Sequence, residues 1–347
     1  MKRDIATQTV AEAYLALLAS RGIEYLFGNA GTDFPPIIEA YAKAGRNGAR
    51  LPKPVLVPHE NVAVAMAYGY TLATGRMQAV MVHVGLGTAN AVCGLFNAAR
   101  QNVPMLFTAG RTPWTESGAP GARNNYINWA QEMFDQAGMV RELMKWDFEL
   151  RHPAHLESVV DRALALAQSD PKGPVYLVLP REVLAAEHPA QASGSSTLAA
   201  QTAAHPDPAA LATLRGWLAE AKKPLLVTAD AGRSEAGWHA LERFASAQGV
   251  PVVQYRPRFA SLSTEHPMHA GYDPAPYLRD ADLVLVLECD VPWIPDHAQP
   301  RADAKVVQLG RDPLFARYPL RGFRSDLTIT GDAAAILQAL SHEVSRG

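Results

Sequence analysis

Four short stretches of the chain hold residue types able to handle protons or cradle a ligand. Gly28-Asn29-Ala30-Gly31-Thr32-Asp33 combines glycines, which let a backbone turn tightly and approach a ligand, with Thr32 and Asp33, either able to cap a following helix. The same pattern serves a plain strand-to-helix turn, and its glycines do not follow the dinucleotide spacing Gly-x-Gly-x-x-Gly. Pro58-His59-Glu60-Asn61 puts a carboxylate at the head of a nearly charge-free stretch, NVAVAMAYGYTLAT at 61–74. There Glu60 has two readings. As a structural acid it complements a helix dipole by ~0.3–1 kcal/mol. As a functional one, an apolar setting raises its proton affinity enough for exchange near neutrality. His83 opens a third stretch, His83-Val84-Gly85-Leu86-Gly87-Thr88-Ala89-Asn90, where an imidazole is either a structural partner or a proton carrier. The fourth, Gly110-Arg111-Thr112-Pro113-Trp114, serves equally as a substrate loop or as an interface.

Each stretch follows a short apolar run. In the first part of the chain the runs are 25–27, 55–57, 79–82, 105–108 and 175–179, with helical patterns at about 60–74, 88–101 and 154–168 between them. A helix opens the chain with Val10, Tyr14, Leu17 and Leu18 on one face and stops at Gly22. Runs of this length between helices predict parallel strands buried on both faces. The later runs at 225–228, 250–253, 283–287 and 306–309 repeat the grammar. The expected fold is therefore α/β, with two doubly wound parallel-sheet domains, each a three-layer αβα sandwich. The helix at 61–74, apolar almost all round, is expected to be buried. In such sheets ligands sit where strand ends lead into helix N-termini, and all four stretches fall there.

The chain has 347 residues, 48% apolar and 19% charged, enough to bury sizeable cores. Lys and Arg number 32 against 34 Asp and Glu, a net charge of −2 that gives no footprint for nucleic acid or an acidic membrane. No apolar run approaches the ~18 residues of a spanning helix. Cys93 and Cys289, both in apolar surroundings, read as reduced core thiols of a cytoplasmic protein. At 185–208 the sequence AAEHPAQASGSSTLAAQTAAHPDP turns small and polar, reading as a linker between a first domain at 1–184 and a second at 209–347.

Taken in order, GNAGT, PHENVAVAMAYGYTLATG and HVGLGTANAVCGLFNAARQNVPMLFTAGR resemble the pyrimidine-binding domain of thiamin diphosphate-dependent enzymes. The benzoylformate decarboxylase branch is most similar, with acetolactate synthase-like enzymes next. The resemblance continues through GPVYLVLPREV at 173–183. It reaches the family's middle domain in KPLLVTADAG, GVPVVQYRPR and ADLVLVLECD, so nearly the whole chain is covered.

That resemblance implies a function. Glu60 matches the glutamate that protonates the cofactor aminopyrimidine, whose imino form then deprotonates the thiazolium for attack on a 2-oxo acid. His83 matches the decarboxylase branch's proton-relay histidine, which acetolactate synthases usually lack. Thr32 stands where the branch has a serine near the substrate carboxylate. Asn29 matches the residue before a turn proline, and Ala30 replaces that proline, loosening the turn. The branch's second histidine would fall at Pro295, two positions before His297, which leaves the role of His297 and the identity of the substrate open. The family holds the cofactor diphosphate through Mg2+ in a third domain carrying Gly-Asp-Gly and a later Asn. No Gly-Asp-Gly occurs here, and Gly331-Asp332 only opens the last helix. On this resemblance the diphosphate-binding domain is missing, the chain being either a fragment or a split subunit.

Three readings are open at this stage. The first is part of a decarboxylase or carboligase acting on a small 2-oxo acid, in a homo- or hetero-oligomer (dimer or tetramer) that supplies the diphosphate-binding domain; an acetolactate synthase-like transferase is its close variant. The second is a non-catalytic assembly subunit keeping the fold. The third uses the middle domain for FAD or ADP, Gly232-Arg233-Ser234 being a weak phosphate loop.

Overall fold

A computed structural model describes residues 9–189 and 198–341. The chain divides into two compact units between Gln201 and Thr202. The expected linker at 185–208 spans that junction, and its residues 190–197 lie outside the described residues. Its first part is ordered against the first unit: Thr9 and Glu187 form an antiparallel bridge. Among the described residues no helix is long and apolar enough to cross a membrane.

The strands of the first unit are β1 (Tyr25–Gly28), β2 (Lys53–Leu56), β3 (Ala79–Val82), β4 (Met105–Arg111), β5 (Asp147–Glu149) and β6 (Pro174–Pro180). They form one sheet in the order β2-β1-β3-β4-β6-β5, every pairing parallel. Its helices are α1 (Val10–Ser20), α2 (Pro35–Asn47), α3 (Glu60–Thr74), α4 (Val84–Arg100), α5 (Ile127–Ala130), α6 (Leu156–Gln168) and α7 (Arg181–Ala185). Alternate strand residues feed opposite faces, as the period of two requires. Ala79, Met81, Leu106 and Leu177 pack with Tyr14, Leu17 and Val160 on one side. Val80, Val82, Phe107 and Tyr176 pack with Val64, Ala91 and Leu95 on the other. This is the expected three-layer αβα arrangement.

The second unit repeats it with β7 (Pro224–Thr228), β8 (Val252–Gln254), β9 (Leu283–Leu287), β10 (Lys305–Gly310) and β11 (Leu327–Thr330), in the order β11-β10-β9-β7-β8, again all parallel. The helices α8 (Pro208–Glu220), α9 (Glu235–Gln248), α10 (Ala275–Leu278) and α11 (Ala333–Ser341) cover it. Asp332 accepts from the amide of Ala334 at 2.9 Å, so Gly331-Asp332 does open the last helix. The Gly232-Arg233-Ser234 turn spends its groups inside the unit. The Gly232 amide donates to Ser261 Oγ at 2.9 Å and Ser234 Oγ caps α9.

Three expectations are corrected. Helix α3 is not buried all round: Ala63, Val64, Ala67 and Thr71 are covered, but Val62 and Met66 are each 41% exposed. Alanine and glycine make its sequence apolar without giving it much area to bury. Cys93 is exposed on α4 and is no core thiol, whereas Cys289 is buried; both are unpaired. Thr32 and Asp33 do not cap the following helix, whose N-cap is Phe34 with Pro35 in the first turn.

The order in which strands are added reverses between β1 and β3, since β2 lies on one side of β1 and β3 on the other, all parallel. That topological switch point opens a crevice at the strand ends, where Gly28–Asp33 and His83 emerge. Gln78, fully buried, anchors the start of β1: its Oε1 accepts from the amides of Glu24 and Tyr25 at 2.9 and 2.8 Å. Gln78→Leu leaves both donors unpaired, and each costs about 1–3 kcal/mol. The urea midpoint of the protein is expected to fall accordingly; an unchanged midpoint would show the anchor to be idle.

Candidate active site

Glu60 is the first residue of α3 and only 7% exposed. His59, the N-cap, accepts from the amide of Asn61 on Nδ1 at 3.1 Å, which fixes where the helix starts. Asn61 in turn accepts from the amide of Gly94 at 2.9 Å, tying α3 to α4. A Cβ on Gly94 would come within 2.9 Å of Val64 Cγ1, so the two helices approach as closely as glycine allows. The approach brings Asn90 of α4 to Glu60, where its Nδ2 donates to Oε2 at 3.1 Å. Among the described residues Oε1 has no hydrogen-bond partner. Gly87 lies beside it, where a Cβ would stand 3.3 Å away. One carboxylate oxygen is thus held and the other left open.

His83 follows the last residue of β3 and is the N-cap of α4, a helix that begins earlier than its periodicity predicts. The next residue, Val84, takes φ +31°, a conformation a β-branched residue adopts at a cost of order 1–3 kcal/mol. Its amide then donates to Asp33 Oδ2 at 3.2 Å, while Oδ1 of the same carboxylate lies 2.6 Å from His83 Nδ1. The Asp33 carboxylate holds the imidazole above its usual range; partial desolvation opposes this, while Gln131 and the charge of Glu60 add to it.

Around this pair the packing is tight. A Cβ on Gly31 would fall 2.1 Å from His83 Nδ1, and one on Gly110 would fall 1.9 Å from Asp33 Oδ2. Both positions must therefore be glycine for the pair to form. On the other side of the ring Gln131 Nε2 approaches His83 Nε2 at 3.2 Å. Its neighbour Glu132 is clamped by Arg111, Arg123 and Thr112 at 2.9, 2.6 and 2.5 Å, which fixes the segment. Below, Thr88 Oγ1 and Tyr176 Oη share a hydrogen bond at 2.7 Å, and Gln136 Nε2 donates to the same Tyr176 oxygen at 2.9 Å. Burial pushes the Tyr176 hydroxyl up to about 12, so it stays a neutral link.

The remaining sequence candidates divide by position. Asn29, half-buried, and Ala30, exposed, form the turn after β1, and the Asn29 amide donates to Met81 O at 3.2 Å. Thr32 is exposed at the same crevice, its carbonyl held by Arg181 Nη1 at 3.1 Å. Trp114 is exposed, its amide donating to Glu182 at 2.7 Å. His297 lies in an exposed turn of the second unit. Sequence reasoning gave no role to three residues that shape the site: Asp33 beyond capping, Asn90 and Gln131. Of these, Asp33 lay in a stretch already marked as a ligand turn, but nothing in the sequence tied it to His83.

Residues 8–139 match the model for the thiamine pyrophosphate enzyme N-terminal TPP binding domain, and residues 211–340 that for the thiamine pyrophosphate enzyme central domain. The chain is 28% identical over 349 residues to a benzoylformate decarboxylase of Pseudomonas aeruginosa, covering 97% of this chain and 62% of that one. It is 26% identical over 356 residues to the acetolactate synthase isozyme 3 large subunit of Escherichia coli, covering 97% and 58%. The fold is that of the benzoylformate decarboxylase from Polynucleobacter necessarius, with TM-score 0.80 at 21% identity over 96% of this chain and 61% of that one. The chain thus spans about three fifths of the length of these relatives.

Gly31→Ala drives a methyl into the His83 ring. We expect about 1–3 kcal/mol of lost stability, the usual cost of overpacking, in urea unfolding. Wild-type stability with the His83–Asp33 contact intact would contradict this geometry.

Proposed function

Because the chain belongs to the thiamine pyrophosphate enzyme family, we propose that it forms the aminopyrimidine-binding part of a thiamin diphosphate-dependent decarboxylase or carboligase acting on a small 2-oxo acid. The observation that carries this reading is Glu60: a buried carboxylate with Oε2 anchored by Asn90 and Oε1 open. A protonatable ring nitrogen needs such an oxygen, and Gly87 leaves the space beside it clear. The donor set therefore fits the pyrimidine end of the cofactor.

When bound, thiamin diphosphate supplies the electron sink for cleaving or forming the bond next to a carbonyl. The protein's own part is proton management. Glu60 holds and returns a proton at Oε1 while Asn90 keeps the carboxylate from turning. His83 exchanges a proton with the substrate side at Nε2, and its presence favours decarboxylation over the acetolactate synthase-like alternative. Asn29 and Ala30 would supply the turn beside the pyrimidine, and the Thr32 hydroxyl would be offered to a substrate carboxylate. Among the described residues no group of three or more His, Cys, Asp or Glu is arranged to hold a metal ion. Mg2+, which needs octahedral oxygen ligation, and the diphosphate it would bind are assigned to a diphosphate-binding domain in the same polypeptide or in a partner subunit. An oligomer that joins the two kinds of domain, in the cytoplasm, completes the proposal.

The test is release of CO2 from benzoylformate or pyruvate by this protein assembled with the diphosphate-binding domain, with thiamin diphosphate and Mg2+ added. Glu60→Gln should lower kcat by about 10²–10⁴, the usual share of a positioned acid or base. A Glu60→Gln enzyme as fast as wild type would overturn the assignment.

A further inference from the structure

The chain sacrifices three backbone positions to bring Asp33 and His83 together. Gly31 and Gly110 give up their side chains, and Val84 accepts a positive φ so that its amide can reach the same carboxylate. Asp33 is only 2% exposed, and its polar partners are His83 Nδ1 at 2.6 Å and the Val84 amide. A carboxylate buried to that degree is strongly disfavoured unless a cation compensates it. His83 is the group in contact that can become one.

A second observation points the same way. Gln131 Oε1 is buried with no partner, while its Nε2 faces the ring at 3.2 Å. The two ends of an amide are interchangeable in position. With the amide turned over, Oε1 meets Nε2, and a ring protonated on both nitrogens has an acceptor at each. With the ring neutral at Nε2, the amide nitrogen donates instead. Gln131 thus fits both protonation states, whereas Asp33 fits only a proton on Nδ1.

We infer that Asp33 is the positioning residue of His83: it keeps the proton on Nδ1, so that exchange runs through Nε2 alone, and its buried carboxylate favours the charged ring. The catalytic consequence rests on the reading of His83 as a proton relay, while the ring's charge and tautomer do not.

The other groups facing the pair leave this assignment intact. From α3, Glu60 adds negative charge and favours the imidazolium. From β4 and α7, Arg111 and Arg181 share a small cavity with Asp33, Thr32 and Val84. Arg111 pairs through its Nη atoms with Glu149 and Glu132, its buried Nε making no hydrogen bond to Asp33 or any other described residue, and Arg181 is held by the carbonyls of Gly121, Ala122 and Thr32. From β6, Tyr176 stays neutral. Because His83 holds its proton more tightly folded than unfolded, the pair stabilises the fold fully below about pH 6.5. That contribution is lost as pH rises through the folded value.

The test is a long-range 1H–15N NMR titration of the imidazoles in the full chain without cofactor, with His83 assigned by its loss in His83→Asn. In the wild type, Nδ1 should stay protonated throughout, Nε2 should titrate, and the midpoint should lie above 6.5. In Asp33→Asn the midpoint should fall by at least one pH unit, about a tenfold weaker hold on the proton. A neutral wild-type ring carrying its proton on Nε2 would overturn the inference, as would a midpoint unmoved by Asp33→Asn. The wild-type tautomer decides the matter even if that variant fails to fold. In the assembled enzyme, the alkaline limb of kcat should shift to lower pH along with the midpoint. A shifted midpoint with an unmoved pH profile would keep Asp33 as the group that charges the ring and overturn His83 as the relay.

Discussion

A carboxylate can stay buried at the mouth of a helix only if its surroundings satisfy it, and at Glu60 they satisfy one oxygen and leave the other. The rest of the first unit follows from that constraint. Asn90 must reach Oε2 from α4, so α3 and α4 must lie close enough for Gly94 to meet Val64 and Asn61. Gly87 must be bare because a Cβ there would meet Val82 Cβ at 2.9 Å, and it would also crowd Oε1 at 3.3 Å. The start of α3 must be fixed to the residue, which the His59 cap does. The reversal of strand order between β1 and β3 then opens the crevice in which the open oxygen and His83 find themselves.

Much of this was legible in the sequence because it is local. Apolar runs of four or five residues mark the buried parallel strands well, and β3 and β9 match their runs residue for residue. Glu60 and His83 announced themselves by position, an acid at a helix start and an imidazole at a strand end. Of the four edge strands, β2 and β8 were foreseen as apolar runs, but β5 and β11 were not. β5 is only Asp-Phe-Glu, and β11 alternates Leu-Thr-Ile-Thr, so neither forms an apolar run.

What was missed is long-range. Asp33 has the residue type and place of a helix cap, and its sequence neighbourhood says nothing of a histidine fifty positions on. Proline at 35 already sets the start of α2, which frees the Asp33 carboxylate to turn inward. Asn90 and Gln131 are ordinary amides on a helix and in a loop, and only the packing of α3 on α4 and the Glu132 clamp give them work. The burial of α3 was overestimated for a related reason. Its composition is apolar, but which face is covered depends on neighbours that a single segment cannot reveal.

The central claim is that the open oxygen of Glu60 meets the pyrimidine of the cofactor. A crystal structure of the protein assembled with its diphosphate-binding domain and thiamin diphosphate tests it most directly. The account predicts Glu60 Oε1 about 2.6–3.2 Å from a pyrimidine ring nitrogen, with Asn90 still on Oε2. A pyrimidine bound against a different acid, with Oε1 of Glu60 facing solvent, would contradict it.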